Sequence, residues 1–331
     1  MNLPTPRTLL RINPKGLYAK SLGATVSFGA KAWAGVISPA NLAFSMPRLK
    51  PGMRRSRADN QGLPQTLGRI GSLEVRLART AGDVKRAQKL RYKVFYEEMS
   101  ATPDTISLIS GRDRDAFDPI CDHLLVIDHD APLSPTGKPK IVGTYRLLRQ
   151  AVAERHSGFY TASEFDIAPL LAAHPGRRFL ELGRSCVLSP YRNKRTVELL
   201  WHGIWTYVLH HGIDVMFGCA SLEGTEPSRL ALPLSFLHHN ASAAGEWGVK
   251  ALPERHVAMD RLAKGAVDLK LALHALPPLL KGYVRIGAMI GDGAVVDHQF
   301  GTTDVLVILP VEKINPRYIG HFGEGAERHA A

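Results

Sequence analysis

The chain reads as a mixed α/β protein, and three observations carry that reading. Its apolar runs follow the order strand, helix, strand, strand, helix, strand, helix, strand, with a hairpin placed before the crossover helix. Doubly wound dinucleotide folds alternate more strictly than this. Residues 179–201 pass from strand through a basic turn to a helix in one line, Phe179-Leu-Glu-Leu-Gly-Arg-Ser-Cys-Val-Leu-Ser-Pro-Tyr-Arg-Asn-Lys-Arg-Thr-Val-Glu-Leu-Leu-Trp201. No GxGxxG follows the first strand, no GxxxxGK[ST] occurs, and Gly218-Cys-Ala-Ser221 is not a GxSxG elbow.

Residues 1–66 are rich in Gly, Pro, Ser and Arg without periodicity and read as a disordered leader. Ser72–Ala78 alternates as a strand, and Ala81–Met99 is helical because Val84, Ala87, Leu90, Val94 and Phe95 recur at helical spacing. Ala101–Pro119 is polar, Asp-rich and read as a loop. His123–Ile127 and Ile141–Leu148 are apolar runs joined by a Pro/Gly/Asp turn, hence a hairpin. Ser163–Ala173 reads as a short helix with Ser163 as its N-cap and Asp166 three residues on. Strand Phe179–Leu188, helix Arg195–His211 and strand Asp214–Cys219 follow, then a helix over Glu226–Leu237. Beyond Glu246 come an extended piece near Val249–Leu252, a helix Asp268–Leu280, and strands Val284–Ile286 and Asp304–Leu309. One domain of residues 67–325, with a C-terminal extension from about 250 and a tail 326–331, completes the division.

Charge is unevenly placed. Of the 42 Lys and Arg residues, ten precede Asp59, where no acidic residue occurs, so most of the net charge of +12 belongs to the leader. A nearly neutral remainder argues against a nucleic-acid-binding domain. The leader itself favours an anionic lipid surface or nucleic acid, and Ala30–Phe44 has the apolar residues to lie on a membrane. A disordered leader with no such role is the plainer reading. No stretch approaches about 18 uninterrupted apolar residues, so no spanning helix is expected. Three cysteines, Cys121, Cys186 and Cys219, lie in apolar runs without CxxC spacing. They read as core residues of a protein in a reducing cytosol, with no zinc site and no disulfide framework. The adjacent pairs His210-His211 and His238-His239 point apart on a helix or strand and make poor metal sites, so no metal is expected.

The chemistry concentrates in residues 179–201. Arg192, Lys194 and Arg195 stand before a helix that begins near Thr196, and the unpaired amide N–H groups of a helix N-terminus flanked by cations are a ready phosphate site. Glu181 sits between Leu180 and Leu182, where desolvation raises a carboxylate pKa toward a general base. The plainer alternative pairs Glu181 with Arg184 or Arg146 in a structural network. Arg91, Asp115, Asp118, Arg146 and Arg184 alternate in sign and read either as a solvated network or as a polar wall. His123 at a strand start is a lesser base candidate; a structural histidine is the simpler reading. Tyr191 and Tyr207 are the candidates for a general acid.

Element order and the strand–turn–helix resemble the GNAT N-acyltransferase fold, a mixed central sheet flanked by helices. The family pattern V-x-x-x-x-[RQ]-x-x-G-x-[GA] is matched by Val187 and Arg192, while Arg195 and Val197 replace the small residues. A pyrophosphate approaches backbone amides most closely where Cβ is missing. The departure therefore favours a donor with a single phosphate, the 4'-phosphopantetheine arm of acyl carrier protein, gripped by Val187, Arg192, Asn193, Lys194, Arg195 and Thr196. Arg91-Tyr-Lys-Val-Phe95, Asp115-Ala-Phe-Asp118, Gly143-Thr-Tyr-Arg146 and Glu181-Leu-Gly-Arg184 resemble an ordered set in acyl-homoserine lactone synthases, without the Trp expected after the Phe and with Gly183 in place of Ser/Thr. Ser163-Glu-Phe-Asp166, Leu180-Glu-Leu-Gly-Arg184, Gly218-Cys-Ala-Ser-Leu-Glu-Gly224, Leu280-Lys-Gly-Tyr-Val-Arg-Ile-Gly287 and Phe300-Gly-Thr-Thr-Asp-Val305 are similar to the ornithine N-acyltransferase family of bacterial ornithine-lipid synthesis.

That resemblance implies transfer of a 3-hydroxyacyl group from acyl carrier protein to the α-amine of ornithine, giving lyso-ornithine lipid, with no tightly bound cofactor. It implies Glu181 as base and a backbone N–H near Cys186 or Val187 as oxyanion donor. Arg146 or Arg184 would clamp the ornithine carboxylate, and Asp115 or Asp118, beside Arg91, would take its δ-ammonium. An acyl-CoA donor, another amine acceptor, or a membrane-binding protein without catalysis are the alternatives.

Overall fold

Strands rich in β-branched and apolar residues dominate this chain, and in the computed structural model, which describes residues 60–99 and 101–314, they form one eight-stranded sheet. The strands are β1 (Gly68–Ile70), β2 (Leu73–Leu77), β3 (Asp122–Asp128), β4 (Lys140–Arg149), β5 (Phe179–Val187), β6 (Val215–Glu223), β7 (Met289–Asp297) and β8 (Thr302–Pro310). Their order in space is β1-β2-β3-β4-β5-β6-β8-β7. Every neighbouring pair is antiparallel except β5–β6, which is parallel. A parallel pair needs a long crossover, and helix α5 (Lys194–His211) supplies it.

Two features of the sheet make room for a site. The β5–β6 pairing ends at Glu181↔Phe217, and beyond it the strands part. The β4–β5 register shifts between Thr144 and Arg146, opposite Arg184, whose φ of 49° makes it the single non-glycine among the described residues with positive φ. A bulge of this kind bends the strand and re-aims its side chains. Gly218 sits where the strands part: a Cβ there would lie 2.1 Å from the Leu182 carbonyl oxygen.

Helices follow apolar faces onto this sheet. On α1 (Ala81–Tyr92), Thr80 accepts from the Asp83 amide as a cap, and Ala87, Leu90 and Arg91 are buried. Helix α5 backs Gly203 onto Val75 and Leu124 so closely that a Cβ would lie 2.7 Å from the Val75 side chain. One apolar cluster joins α1, α5 and the helices α6 (Ala231–Ala241), α7 (Leu269–Ala275) and α8 (Pro278–Ile286) to the sheet. A second, containing Phe159, Phe165, Phe179, Phe217, Trp247 and Leu306, gathers α3 (Gln150–Ala153) and α4 (Ala168–Ala173).

Several expectations are corrected. The helix read over Ala81–Met99 becomes a π-helical stretch at Lys93–Glu98. The presumed loop 101–119 contains α2 (Thr105–Ser110), capped by Asp104 and ended by Gly111 in a left-handed conformation. Ser163 caps no helix: its hydroxyl donates to the Tyr160 carbonyl, and α4 starts at Ala168, ahead of Pro169. Pro277 divides the helix read over Asp268–Leu280 into α7 and α8, and the expected strand Val284–Ile286 is the last turn of α8. Strand β7 escaped notice because Gly291 and Gly293 interrupt its alternation; the pairing with β8 shifts between Ile290 and Ala294. The extension from about 250 is thereby part of the same sheet. Residues 60–66, read as the end of the leader, pack on this unit through Asn60, which bonds Asp122 and His211, and through Leu63. Residues 1–59, with the membrane-surface segment, and the tail 326–331 lie outside the described residues.

Candidate active site

The parting of β5 from β6 opens a cavity of roughly 250 Å³ lined by Phe95, Tyr145, Arg146, Tyr160, Glu181, Arg184, Cys219, Asp297 and Asp304 among others. Three predicted residues, Glu181, Arg146 and Arg184, therefore meet at one place. Glu181 is 5% exposed. It accepts the Tyr160 and Thr161 amides at 3.1 and 2.7 Å, where a short 3-10 turn (Tyr160–Ser163) begins. Burial raises its pKa despite those bonds. The alternative in which Glu181 makes an ion pair with Arg184 or Arg146 is not what the chain forms.

Arg146 places one nitrogen 2.7 and 2.6 Å from the two Asp115 oxygens and 3.4 Å from Asp118. Its guanidinium lies over Phe117 and Tyr160. Arg184 is stacked between Tyr160 and Phe300, 5.0 and 4.6 Å from the ring centres, and its ion contacts to Asp113 and Asp115 are long, 3.5 and 3.6 Å. Its Nε makes no hydrogen bond of ordinary geometry. Arg184 is thus the cavity cation with donors to spare.

Arg91 is fully buried away from the cavity lining. It bonds Asp113 at 2.6 Å and both Asp118 oxygens at 2.8 Å. Gln88 adds a 2.9 Å bond to Asp118. The Arg146 and Arg184 charges hold the Asp115 carboxyl well below the ordinary carboxylate range although burial opposes them. Asp115 and Asp118 are therefore committed to arginines, through a buried network that Asp113 completes. Sequence reading missed Asp113, whose alternation with Asp115 was the available signal. His123 bonds the Asp118 carbonyl at 3.0 Å, and burial lowers its pKa to about 4, so it is a neutral member of that network.

The phosphate-loop residues lie outside the cavity lining. Asn193 caps α5 by accepting the Thr196 amide at 3.2 Å, so the helix begins at Lys194, ahead of the expected start at Arg195–Thr196, and the Thr196 N–H is already used. Thr196 is fully buried. Arg192 donates to the Val187 carbonyl at 2.9 Å and pairs with Glu98. Lys194 pairs with Glu198 at 3.3 Å; Arg195 is exposed and makes no ion pair among the described residues. Of the tyrosines named as acids, Tyr207 donates to Asp122 and Tyr191 to Asp128, neither in the cavity. Tyr145, which the sequence did not single out, lines it and bonds Tyr283 at 2.8 Å.

Cys121 and Cys219 line the cavity as free thiols. Burial pushes the Cys186 thiol up to about 12 and raises Cys219 well above its ordinary value, so neither offers a thiolate. Glu164, Asp297 and Asp304 gather carboxylate oxygens within 4.8 Å of one another. Burial, then the charge of Glu164, push the Asp304 carboxyl up to about 7. No sequence spacing signals this cluster, since Asp297 and Asp304 belong to the β7–β8 hairpin while Glu164 lies more than 130 residues before them. No helix of the described residues is long and apolar enough to cross a membrane.

Residues 90–202 match the Acetyltransferase (GNAT) domain family. An L-ornithine N(alpha)-acyltransferase of Brucella abortus (strain 2308) is 56% identical over 79% of this chain and 92% of its own. The protein so named from Agrobacterium fabrum is also 56% identical, over 82% and 90%, and that of Rhodobacter capsulatus 40%, over 75% and 93%. A solved N-acyl amino acid synthase from uncultured soil microbes aligns over 72% of this chain and 91% of its own with 11% identity and a TM-score of 0.39, too slight a likeness to bear on function. A GNAT-like sheet parted around a buried carboxylate, in a chain 56% identical to two of these enzymes over about four-fifths of its length, marks an acyltransferase that belongs to the L-ornithine N(alpha)-acyltransferase family.

Proposed function

We propose that this chain transfers a 3-hydroxyacyl group from the 4'-phosphopantetheine arm of acyl carrier protein to the α-amine of ornithine, giving lyso-ornithine lipid. The observation that carries the reading is the Glu181 carboxylate, buried with a raised pKa in the cavity where β5 leaves β6, beside an Arg184 with donors to spare.

An ornithine α-amine is largely protonated near neutral pH and must lose a proton before it attacks a thioester. Glu181 takes that proton. Arg184 binds the carboxylate on the same carbon; its stacking between Tyr160 and Phe300 holds the fork in place for a charge-assisted pair. The amine then attacks the thioester carbonyl, and its oxyanion is held by an amide N–H of the stretch of β5 with no β6 partner, near Cys186 or Val187. One such donor contributes about 3 kcal/mol. The C–S bond breaks as the carbonyl re-forms. Tyr145 protonates the leaving sulfur, and the second proton of the nitrogen replaces the one given up. Arg192, Lys194, Arg195 and the first turn of α5 take the single phosphate of the arm, with Asn193 and Thr196 shaping that turn. Arg91, Asp115 and Asp118 serve as the scaffold behind the cavity, with Arg146 in its wall.

The test is acylation of ornithine by purified protein with 3-hydroxyacyl-carrier protein and, separately, 3-hydroxyacyl-CoA at matched concentration. N-acylornithine from the carrier-protein donor is expected, with a lower rate from CoA. Glu181→Gln should lose about 10²-fold or more in kcat; equal turnover would remove Glu181 from the base role.

A further inference from the structure

We propose that Glu164, Asp297 and Asp304 hold the side-chain ammonium of the acceptor and thereby select ornithine over neutral amino acids. The inference rests on the acyltransferase reading above. It also moves the δ-ammonium away from Asp115 and Asp118, which are spent on Arg146 and Arg91.

The cluster is short of positive charge. Its nearest cation is Arg255, 3.7 Å from a Glu164 oxygen, and Asp297 and Asp304 make no ion pair among the described residues. Three oxygens there have no hydrogen bond of ordinary geometry: Glu164 Oε2, Asp304 Oδ1 and Thr302 Oγ1. Their residues are 2%, 7% and 5% exposed. Buried acceptors of this kind are costly. An alkylammonium brings three N–H donors and one positive charge, one donor for each open oxygen.

Position agrees with chemistry. Asp297, Thr302 and Asp304 line the same cavity as Glu181 and Arg184. The segment 160–164 ties the two ends together, because the Tyr160 and Thr161 amides grip Glu181 while Glu164 belongs to the acidic cluster. Three residues of 3-10 helix advance about 6 Å, and the two amines of an extended ornithine are also about 6 Å apart by standard bond lengths. The acceptor's carboxylate then faces Arg184, its α-amine Glu181 and its δ-ammonium the acids.

The test compares kcat/KM for ornithine and for norvaline, the same amino acid without the δ-amine, in the wild type, Asp304→Asn and Glu164→Gln. The wild type should prefer ornithine by about 10²-fold or more, as sites built around a buried polar partner do, and each variant should shrink that ratio at least tenfold. An undiminished ratio in both variants overturns the proposal. So does equal use of norvaline by the wild type, which leaves acyl transfer to an amino acid intact; failure to acylate ornithine at all strikes the proposed function instead. Wild-type activity lost in EDTA and restored by Mg²⁺ would assign the cluster to a metal and overturn the ammonium site. Both variants replace a repelling carboxylate by a neutral isostere and should melt no lower than the wild type. Should either fail to fold, a thermal shift of the wild type by ornithine but not norvaline supports the site, and equal shifts overturn it.

Discussion

Asp304 shows how one buried group ties stability to pH. Its folded pKa of about 7 stands above the roughly 4 of an unfolded aspartate. The folded state therefore holds the proton more tightly, and stability is lost as pH rises from about 4 through about 7. Glu164, also raised by burial, adds to the loss in the same direction; Arg255 near Glu164 moderates it. Asp304→Asn removes the Asp304 share of the slope, so its melting temperature should exceed that of the wild type by more at pH 8 than at pH 4. An equal gap at both pH values would show that Asp304 does not titrate in this range. Neither the pKa nor the cluster was legible in the sequence, because the segment at Glu164 is distant along the chain from the β7–β8 hairpin that carries Asp297 and Asp304. The burial of Glu181 was legible: an acid between two leucines, two residues before a glycine-arginine pair, sits in an apolar strand.

At the scale of elements, the close approach of β5 and β6 where their pairing ends depends on one small residue. A methyl group at Gly218 would meet the Leu182 backbone, which has no flexible end to yield. Gly218→Ala should therefore lower stability and activity together, with a loss of about 1–3 kcal/mol typical of overpacking, read by urea denaturation and by turnover; a fully active, equally stable variant would show that the strands spread to admit the methyl group without cost. The N-terminus of α5 depends on Asn193. Asn193→Ala removes its bond to the Thr196 amide and should cost about 1 kcal/mol, seen as a lower urea midpoint with an unchanged slope. Elements with plain periodicity, such as α5, β3 and β4, were readable in advance. Those missed were masked by local signals: glycines within β7, a proline between α7 and α8, and a polar surround for α2.

At the scale of the molecule, the arginine–aspartate network fastens α1 to the loop before β3. Arg91 on α1 bonds Asp113 and Asp118, and Arg146 on β4 bonds Asp115. Removing one member leaves a buried charge without its partner, so Arg91→Met should cost about 3–5 kcal/mol. Arg91→Met together with Asp113→Asn should recover part of that loss in the same denaturation experiment; no recovery would show that the two do not act as a pair. The sequence alone determined the mixed α/β class, the strand–turn–helix over residues 179–201, and the family, since hydrophobic period and short motifs are local properties written along the chain. Only the tertiary structure decided which charges are spent and which are free. Asp115 and Asp118 lie next to arginines that neutralise them, while Glu164 meets two acids of a distant hairpin with little to balance them. Charge balance is a property of neighbours in space, and β-sheet pairing makes neighbours of residues that the chain keeps far apart.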